Sequence, residues 1–96
     1  MITITEPARE RLKALLAARD QEDLALRLEI AGRRGGQFQY EFGFIGAEFR
    51  EPEDQVVDAG DFLVFISPKS APDLAGVTLD FHEDDFQSGF KIDNPN

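Results

Sequence analysis

Two neighbouring stretches with a strict two-residue alternation constrain the fold of this chain more than any other feature. Between Leu24 and Ile30 every second residue is large and apolar, and between Phe38 and Phe44 every second residue is aromatic. Because successive side chains of a strand point to opposite faces, each stretch predicts a half-buried strand, and the glycine-rich link between them is typical of a β-hairpin. We therefore predict a hairpin whose aromatic face belongs to the core, with any exposed remainder and Phe49 available for docking a partner protein. The residues of this face are Phe38, Tyr40, Phe42 and Phe44.

The N-terminal residues predict a short strand that leads into a helix. Ile2 and Ile4 alternate with threonines, as in a half-buried strand. The hydroxyl of Thr5 is suited to an N-cap, and Pro7 is suited to the first helical turn. Apolar residues then recur at helical spacing, and we expect the helix to end near Arg19–Asp20.

The second half of the chain predicts four more strands and a second helix. Residues 56–67 contain two strands around an Ala-Gly-Asp turn, and the second strand is almost wholly apolar, which favours a central or well-covered position. Ser67 and Pro68 form a cap and first-turn pair for a short helix that Gly76 closes. The remaining predicted strands are residues 77–84 and 89–93.

The order of these elements predicts an α+β fold. It comprises mixed or antiparallel β-sheets, one N-terminal helix and one short second helix. A chain of 96 residues is long enough for one hydrophobic core and short for two. We therefore expect a single domain that spans residues 1–96.

Composition excludes several classes of function. Nineteen acidic and ten basic residues give a formal net charge of -9, which repels phosphate backbones, so no nucleic-acid partner is expected. No stretch approaches the roughly 18 apolar residues of a membrane span, so no membrane association is expected. The chain contains no cysteine, which excludes disulfides and thiolate chemistry and favours a cytoplasmic location.

The link between the two alternating stretches carries an unusual pair of charges. Its five residues are Gly32, Arg33, Arg34, Gly35 and Gly36. Glycines let backbone amides converge, and arginine forks bind carboxylate or phosphate, so the segment is a candidate for docking a partner or an anion. It lacks the Gly-Lys-Ser/Thr ending of a phosphate-binding loop and joins two strands. A solvated hairpin turn is the commoner meaning of such a pattern.

A second candidate site surrounds the single histidine. His82 lies near Asp80, Glu83, Asp84 and Asp85, and Asp80 and His82 share one face of a strand. Such side chains can hold a hard or borderline cation. No calcium-loop pattern or paired-histidine helix accompanies them, so an ordinary acidic strand end is the more common interpretation.

Residues for catalysis are not arranged in any recognisable set. Ser67, Ser70 and Ser88 share one histidine, and no nucleophile elbow surrounds any of them. We therefore expect that the protein is not an enzyme and that it has no catalytic residues.

Several segments together resemble the HesB/IscA-like domain of A-type iron-sulfur carriers. They are ITITEPARERLKALLAAR, LALRLEIAGRRGG with YEFGF, DQVVDAGDFLVFISPKSAPDLAGVTLDF, and GFKIDNPN. The resemblance runs from residue 1 to residue 96 and implies the HesB-like fold, with mixed or antiparallel sheets, one N-terminal helix and one short second helix. The combination of TLDF with GFKIDNPN carries most of its specificity.

The chain departs from this family at the residues that bind metal. The resemblance implies a Gly-Cys-Ser-Gly turn after the second strand and a Cys-Gly-Cys motif just beyond Asn-Pro-Asn. Here Arg33 stands where the turn cysteine would be, and the sequence ends at Asn96, ahead of the second motif. A guanidinium is a permanent cation without a lone pair for a metal. None of the family's cysteine ligands can therefore be carried over to this sequence.

The resemblance implies an accessory or client-docking role in iron-sulfur cluster assembly, similar to the degenerate N-terminal domains of Nfu-type carriers. The expected partners are iron-sulfur client or assembly proteins, and iron or a cluster is expected only in association with another module or partner. The alternative is a stand-alone HesB-like protein that binds a small anion at Gly32–Gly36, or iron through Asp80 and His82. The sequence leaves open the client, homodimer formation and a longer natural protein. It also leaves open whether Arg33 and Arg34 bind protein or a small anion.

Overall fold

The computed structural model describes residues 2–20, 23–83 and 88–96, and its strands form two sheets. The order of strands and helices is the order predicted from the sequence, and the α+β prediction is confirmed. In chain order the elements are β1 (Thr3–Ile4), α1 (Glu6–Ala17), β2 (Leu24–Arg34), β3 (Gln37–Gly46), a 3-10 turn (Ala47–Phe49), β4 (Gln55–Asp58), β5 (Leu63–Ile66), α2 (Ala71–Leu74), β6 (Thr78–Glu83) and β7 (Ser88–Asp93).

Both sheets are mixed. In the three-stranded sheet, with order β1-β6-β7, β1 runs parallel to β6 and β7 runs antiparallel to it. The four-stranded sheet has the order β3-β2-β5-β4, in which only β2 and β5 are parallel. This order places β5 between two strands, which confirms the central position predicted from its apolar sequence.

One cluster of buried apolar residues joins α1 to both sheets. Leu12 of α1, Leu26 of β2, Val64 of β5 and Leu79 of β6 are each at most 1% exposed and belong to this cluster. The alternation of β2 therefore has the predicted consequence, since Leu28 on the same face is also fully buried. Burial of this kind stabilises the fold by about 25 cal/mol for each Å² of apolar surface.

The aromatic face of β3 lies at the rim of the core. Tyr40 and Phe44 pack against the buried cluster as predicted, whereas Phe42 is 38% exposed and belongs to the exposed remainder that the prediction allowed. The reason is topological, because β3 is an edge strand with a neighbour on one side only. Phe42 instead meets Phe90 of β7 edge to face, with ring centroids 5.2 Å apart. Phe49 is 66% exposed, as the docking-patch alternative requires.

The N-cap predicted for α1 is correct, whereas the cap predicted for α2, Ser67, lies three residues before the observed N-cap, Ser70. The Thr5 hydroxyl accepts a hydrogen bond from the Ala8 amide, which confirms the predicted N-cap. Helix α1 ends at Ala17, slightly earlier than expected, and α2 begins after Ser70 rather than at Ser67. Within the described part of the chain, neither helix is long and apolar enough to cross a membrane.

Candidate functional site

The turn that joins β2 to β3 is shorter than the sequence suggested. Arg33 and Arg34 belong to the end of β2, and only Gly35 and Gly36 connect the strands. Both glycines have positive φ, +58° and +80°. A two-residue hairpin turn of type I′ requires positive φ at both positions, and glycine adopts it without the steric cost of a Cβ atom. The prediction of a five-residue turn is therefore corrected, and the arginines are held on a strand.

A β-bulge in β2 determines to which face of the sheet each arginine side chain points. The pairing of β2 with β3 shifts register at Ala31, so that Arg33 lies opposite Phe38. A bulge turns the following residues to the other face relative to regular alternation. As a result Arg33 shares a face with Phe38 and Tyr40, whereas Arg34 points to the opposite face. The two arginines therefore have different surroundings.

Arg33 is stacked on an aromatic ring. The Cζ atom of its guanidinium lies 4.5 Å from the centroid of the Phe38 ring, within the range of a cation-π interaction. Among the ion pairs formed by the described residues, none includes Arg33 or Arg34. The hydrogen-bond donors of Arg33 therefore have no carboxylate partner within that part of the chain.

A surface groove of about 400 Å³ separates the hairpin from the C-terminal segment. We call it the tip groove. Arg33, Phe38 and Tyr40 line its hairpin side, and Arg34 does not line it. The other lining residues are Gly36, Gln37, Ile92, Asp93, Asn94 and Asn96. The fold thus brings the arginine at the end of β2 beside the Asn-Pro-Asn segment, two features that are far apart in sequence.

Two asparagines hold the far wall of the tip groove. The side-chain amide of Asn94 donates to the Tyr40 hydroxyl and to the Asp73 carbonyl, each at 2.9 Å. The side-chain amide of Asn96 donates to the Ala75 carbonyl at 2.8 Å and to the Asn94 Oδ1 atom at 2.9 Å. These bonds fix the C-terminal segment against α2 and β3. Sequence reasoning assigned these asparagines no function, and their place in the Asn-Pro-Asn motif was the available signal.

Charge is distributed unevenly between the hairpin tip and the rest of the chain. Residues 30–40 contain two arginines and no acidic residue, a charge of +2. With a total of -9, the other 85 residues carry -9 - 2 = -11. A positive tip on a negative body orients an approaching acidic surface toward the tip. The tip is therefore electrostatically distinct as well as exposed.

A polar network that the sequence did not reveal supports the hairpin from its other face. Arg27 of β2 forms ion pairs with Glu29, at 2.8 Å, and with the fully buried carboxylate of Asp54. The hydroxyls of Ser67 and Ser70 donate to Glu29 at 2.6 and 2.5 Å. These two serines were considered above as nucleophiles, and their hydroxyl groups are instead hydrogen-bonded to a carboxylate. The network connects β2 to the segment before β4, through Asp54, and to the segment after β5, through Ser67 and Ser70.

The network keeps its acidic and basic groups charged. The hydrogen bond from Arg27 is the main cause that lowers the pKa of Asp54. Burial raises the pKa of Glu29, but hydrogen bonds from Ser67, Ser70 and Arg27 together outweigh it, so the pKa of Glu29 is lowered. The bond to Asp54 is likewise the main reason why the pKa of Arg27 is raised. The base of the hairpin is thus held by one charged guanidinium that is paired with two charged carboxylates.

Of the residues predicted around the histidine, the structure describes Asp80, His82 and Glu83. The Nε2 atom of His82 lies 3.1 Å from a carboxylate oxygen of Asp80, so the two predicted residues do meet. The other Asp80 oxygen accepts a 2.7 Å hydrogen bond from Thr5, the main cause that lowers the pKa of Asp80. Asp84 and Asp85 lie outside the described residues. Within the described ranges, no three histidine or acidic side chains group around a common point for a metal ion.

Comparison with known proteins gives consistent matches along the chain. The family model for iron-sulphur cluster biosynthesis matches residues 1–96. Protein HesB of Nostoc sp. (strain PCC 7120) is 37% identical over 97 residues, which cover 99% of this chain and 79% of that protein. The iron-sulfur cluster insertion protein ErpA 2 of Methylococcus capsulatus is 34% identical over 95 residues, which cover 99% of this chain and 72% of that protein.

The fold is also shared with a solved structure. The crystal structure of IscA with the 2Fe-2S cluster superposes with a TM-score of 0.77 at 23% sequence identity. The match covers 100% of this chain and 84% of that one. It shows that the two chains have the same fold.

Proposed function

Because this chain belongs to the iron-sulphur cluster biosynthesis family, we propose that it acts in cluster assembly as an accessory, client-docking domain. The family assignment confirms the resemblance drawn from the sequence. The proposed role is protein binding without catalysis. The observation that carries it is the cationic hairpin tip, where Arg33 takes the place that the resemblance gives to a cysteine.

The side chains around the tip groove do not fit a thiolate-held cluster. Iron-sulfur clusters are held mainly by cysteine thiolates, and the 96-residue sequence contains none. Arg33 supplies only hydrogen-bond donors, and the side-chain amides of Asn94 and Asn96 are engaged with backbone carbonyls. We therefore propose that any cluster handled in this role is held by another module or by the partner.

Docking at the tip would follow from the charge distribution. Arg33 and Arg34 can pair with carboxylates of an iron-sulfur client or assembly protein, while the acidic body repels the same surface in other orientations. Such pairs contribute mainly to orientation and to the association rate. The polar network of Arg27 and Asp54 supports this by fixing the hairpin base.

The proposal is tested by measuring binding to purified apo-client and assembly proteins of the source organism by biolayer interferometry at several salt concentrations. Replacing Arg33 and Arg34 together by alanine should weaken binding about tenfold or more at low salt, mainly through a slower association rate. The matched control replaces Arg50 and Lys69, two exposed cations away from the tip, by alanine. Equal losses in the two double variants, or no binding by the unaltered chain, would refute the proposal.

A further inference from the structure

The two arginines of the tip are not equivalent, and we infer that Arg33 with the tip groove recognises a short segment of a partner protein in which a carboxylate lies beside an apolar side chain. This inference rests on the proposed function and specifies the chemistry of the partner. Arg33 lines the groove and Arg34 does not. Arg33 therefore supplies the specificity of the groove, whereas Arg34 acts on the partner from outside it.

The stacking of Arg33 prepares it to bind a carboxylate. A guanidinium that lies over a ring uses its flat face, which leaves the N–H groups at its edge for a carboxylate. The Cζ atom of Arg33 lies over the Phe38 ring, 4.5 Å from its centroid, and this contact restrains the guanidinium. Two parallel hydrogen bonds from one guanidinium to one carboxylate are the strongest pairing open to it. Less side-chain entropy is lost on binding because Arg33 is already oriented.

Tyr40 provides a second donor in the same groove. Its hydroxyl oxygen accepts the hydrogen bond from Asn94 at 2.9 Å, so the hydroxyl hydrogen is left to donate. Within the described residues, that hydrogen has no acceptor. A carboxylate that binds Arg33 in the groove can therefore also accept a hydrogen bond from the uncharged Tyr40 hydroxyl.

The other side chains that line the tip groove determine which groups are favoured next to the carboxylate of the ligand. Phe38, Tyr40 and Ile92 offer apolar surface, and each is only half-buried. Covering such surface favours an apolar side chain next to the carboxylate. Asp93 also lines the groove, so a second negative charge on the ligand would meet a like charge. The groove therefore favours one carboxylate over a phosphate dianion or a polycarboxylate.

The exposure of the groove favours a segment of protein over a free small molecule. Arg33, Gly36 and Gln37 are exposed, so a small carboxylate would remain largely in water. Small-molecule sites usually enclose most of the ligand surface. A partner protein can add contact area beyond the groove, for example on the exposed ring of Phe42. The positive tip on the acidic body is complementary to a segment that carries one carboxylate.

The test is a titration of the ¹⁵N-labelled protein, followed by NMR, with the peptide acetyl-Gly-Leu-Glu-Leu-Gly-amide. We expect amide shift changes concentrated at Gly36, Gln37, Ile92 and Asn96. The same peptide with glutamine in place of glutamate should bind at least about tenfold more weakly, as expected for the loss of a charge-assisted hydrogen bond. Shift changes located elsewhere, or equal affinity of the two peptides, would overturn the inference.

Single variants separate the two arginines. Arg33→Ala should weaken the glutamate peptide at least about tenfold, and the matched variant Arg34→Ala should weaken it less than about threefold. Arg33→Lys keeps the charge but lacks the planar fork, so it should also lose most of the affinity. Equal losses for Arg33→Ala and Arg34→Ala, or full affinity in Arg33→Lys, contradict the inference. Dispersed amide spectra of the variants confirm that they are folded.

Three further outcomes are informative, and the last two keep this inference distinct from the proposed function. If free 4-methylpentanoate, a small molecule with one carboxylate and an apolar group, binds the groove as tightly as the peptide, the ligand is a small anion and the inference is wrong. If the peptide fails but purified assembly proteins bind through the tip, only the inference fails. If the protein holds a cluster by itself, the proposed function fails while a positive peptide result stands.

Discussion

Replacing the buried carboxylate of Asp54 should cost the protein a large part of its stability. The Asp54 side chain has no exposed surface, and its charge is compensated by Arg27, whose side chain is 21% exposed. Removing one partner of a buried ion pair typically costs about 3–5 kcal/mol. Arg27 retains Glu29 and some contact with water, so we expect about 3 kcal/mol for Asp54→Asn, the lower end of that range. In a chain of this size, that corresponds to a melting temperature lower by about 12–24 °C.

The same substitution should flatten the dependence of stability on pH. The pKa values of Asp54 and Glu29 are lowered by folding, so both groups release protons more readily in the folded state. Their contribution to the free energy of unfolding is therefore complete above about pH 5 and is lost as the pH falls through the folded-state pKa values. Urea unfolding of the unaltered protein and of Asp54→Asn, followed by circular dichroism between pH 7 and pH 3, measures both effects.

Glu53→Gln is the matched control, because it removes the same charge at the neighbouring exposed position. It should change the free energy of unfolding by less than about 0.5 kcal/mol. The reasoning is refuted if Asp54→Asn and Glu53→Gln are equally stable at pH 7. It is also refuted if lowering the pH from 7 to 3 decreases the free energy of unfolding of Asp54→Asn as steeply as that of the unaltered protein.

Two further substitutions test the groove wall and the histidine. Asn94→Ala removes hydrogen bonds to Tyr40 and to the Asp73 carbonyl. Urea unfolding should show that the free energy of unfolding falls by about 1–2 kcal/mol, and the NMR titration should show weaker peptide binding. Unchanged stability and unchanged peptide affinity would show that Asn94 does not hold the wall of the tip groove. His82→Ala should leave the iron content after ferrous iron titration unchanged, since the described residues bring no third histidine or acidic side chain to Asp80 and His82; loss of bound iron would establish a metal site at His82.

The outline of the fold follows from local patterns in the sequence. The alternation that ends at Ile30 and the glycines at the turn define a hairpin, because both act within a few residues. The N-cap at Thr5 is equally local. The absence of a thiolate at Arg33 is visible in the sequence itself, and it carries the main conclusion about the site.

The details that shape the site depend on contacts that local patterns do not encode. Strict alternation from Ile30 would put Arg34 on the apolar face, and the bulge at Ala31 puts Arg33 there instead. One additional residue in a strand reverses every later side chain, and the sequence carries no strong signal for it. The pair of Arg27 and Asp54 joins positions 27 residues apart, which becomes evident only once the strands are placed.

The position of β3 at the edge of its sheet explains why part of its aromatic face is exposed. The aromatic alternation of β3 correctly indicates a strand, but alternation alone does not tell a central strand from an edge strand. Phe42 is exposed because β3 has no second neighbour in its sheet. The exposed rim and the tip groove are therefore products of topology, and both lie where a partner would reach them.

Anaerobic reconstitution with ferrous iron and sulfide tests most directly whether this member of the family works without holding a cluster. The 96-residue protein is gel-filtered after reconstitution, and its visible spectrum, iron content and sulfide content are measured. We predict no visible chromophore and no stoichiometric iron or sulfide, because the chain has no cysteine and Arg33 stands where the resemblance places a cysteine ligand. A stable chromophore with stoichiometric iron and sulfide on the protein would contradict the account and would require ligands other than thiolates.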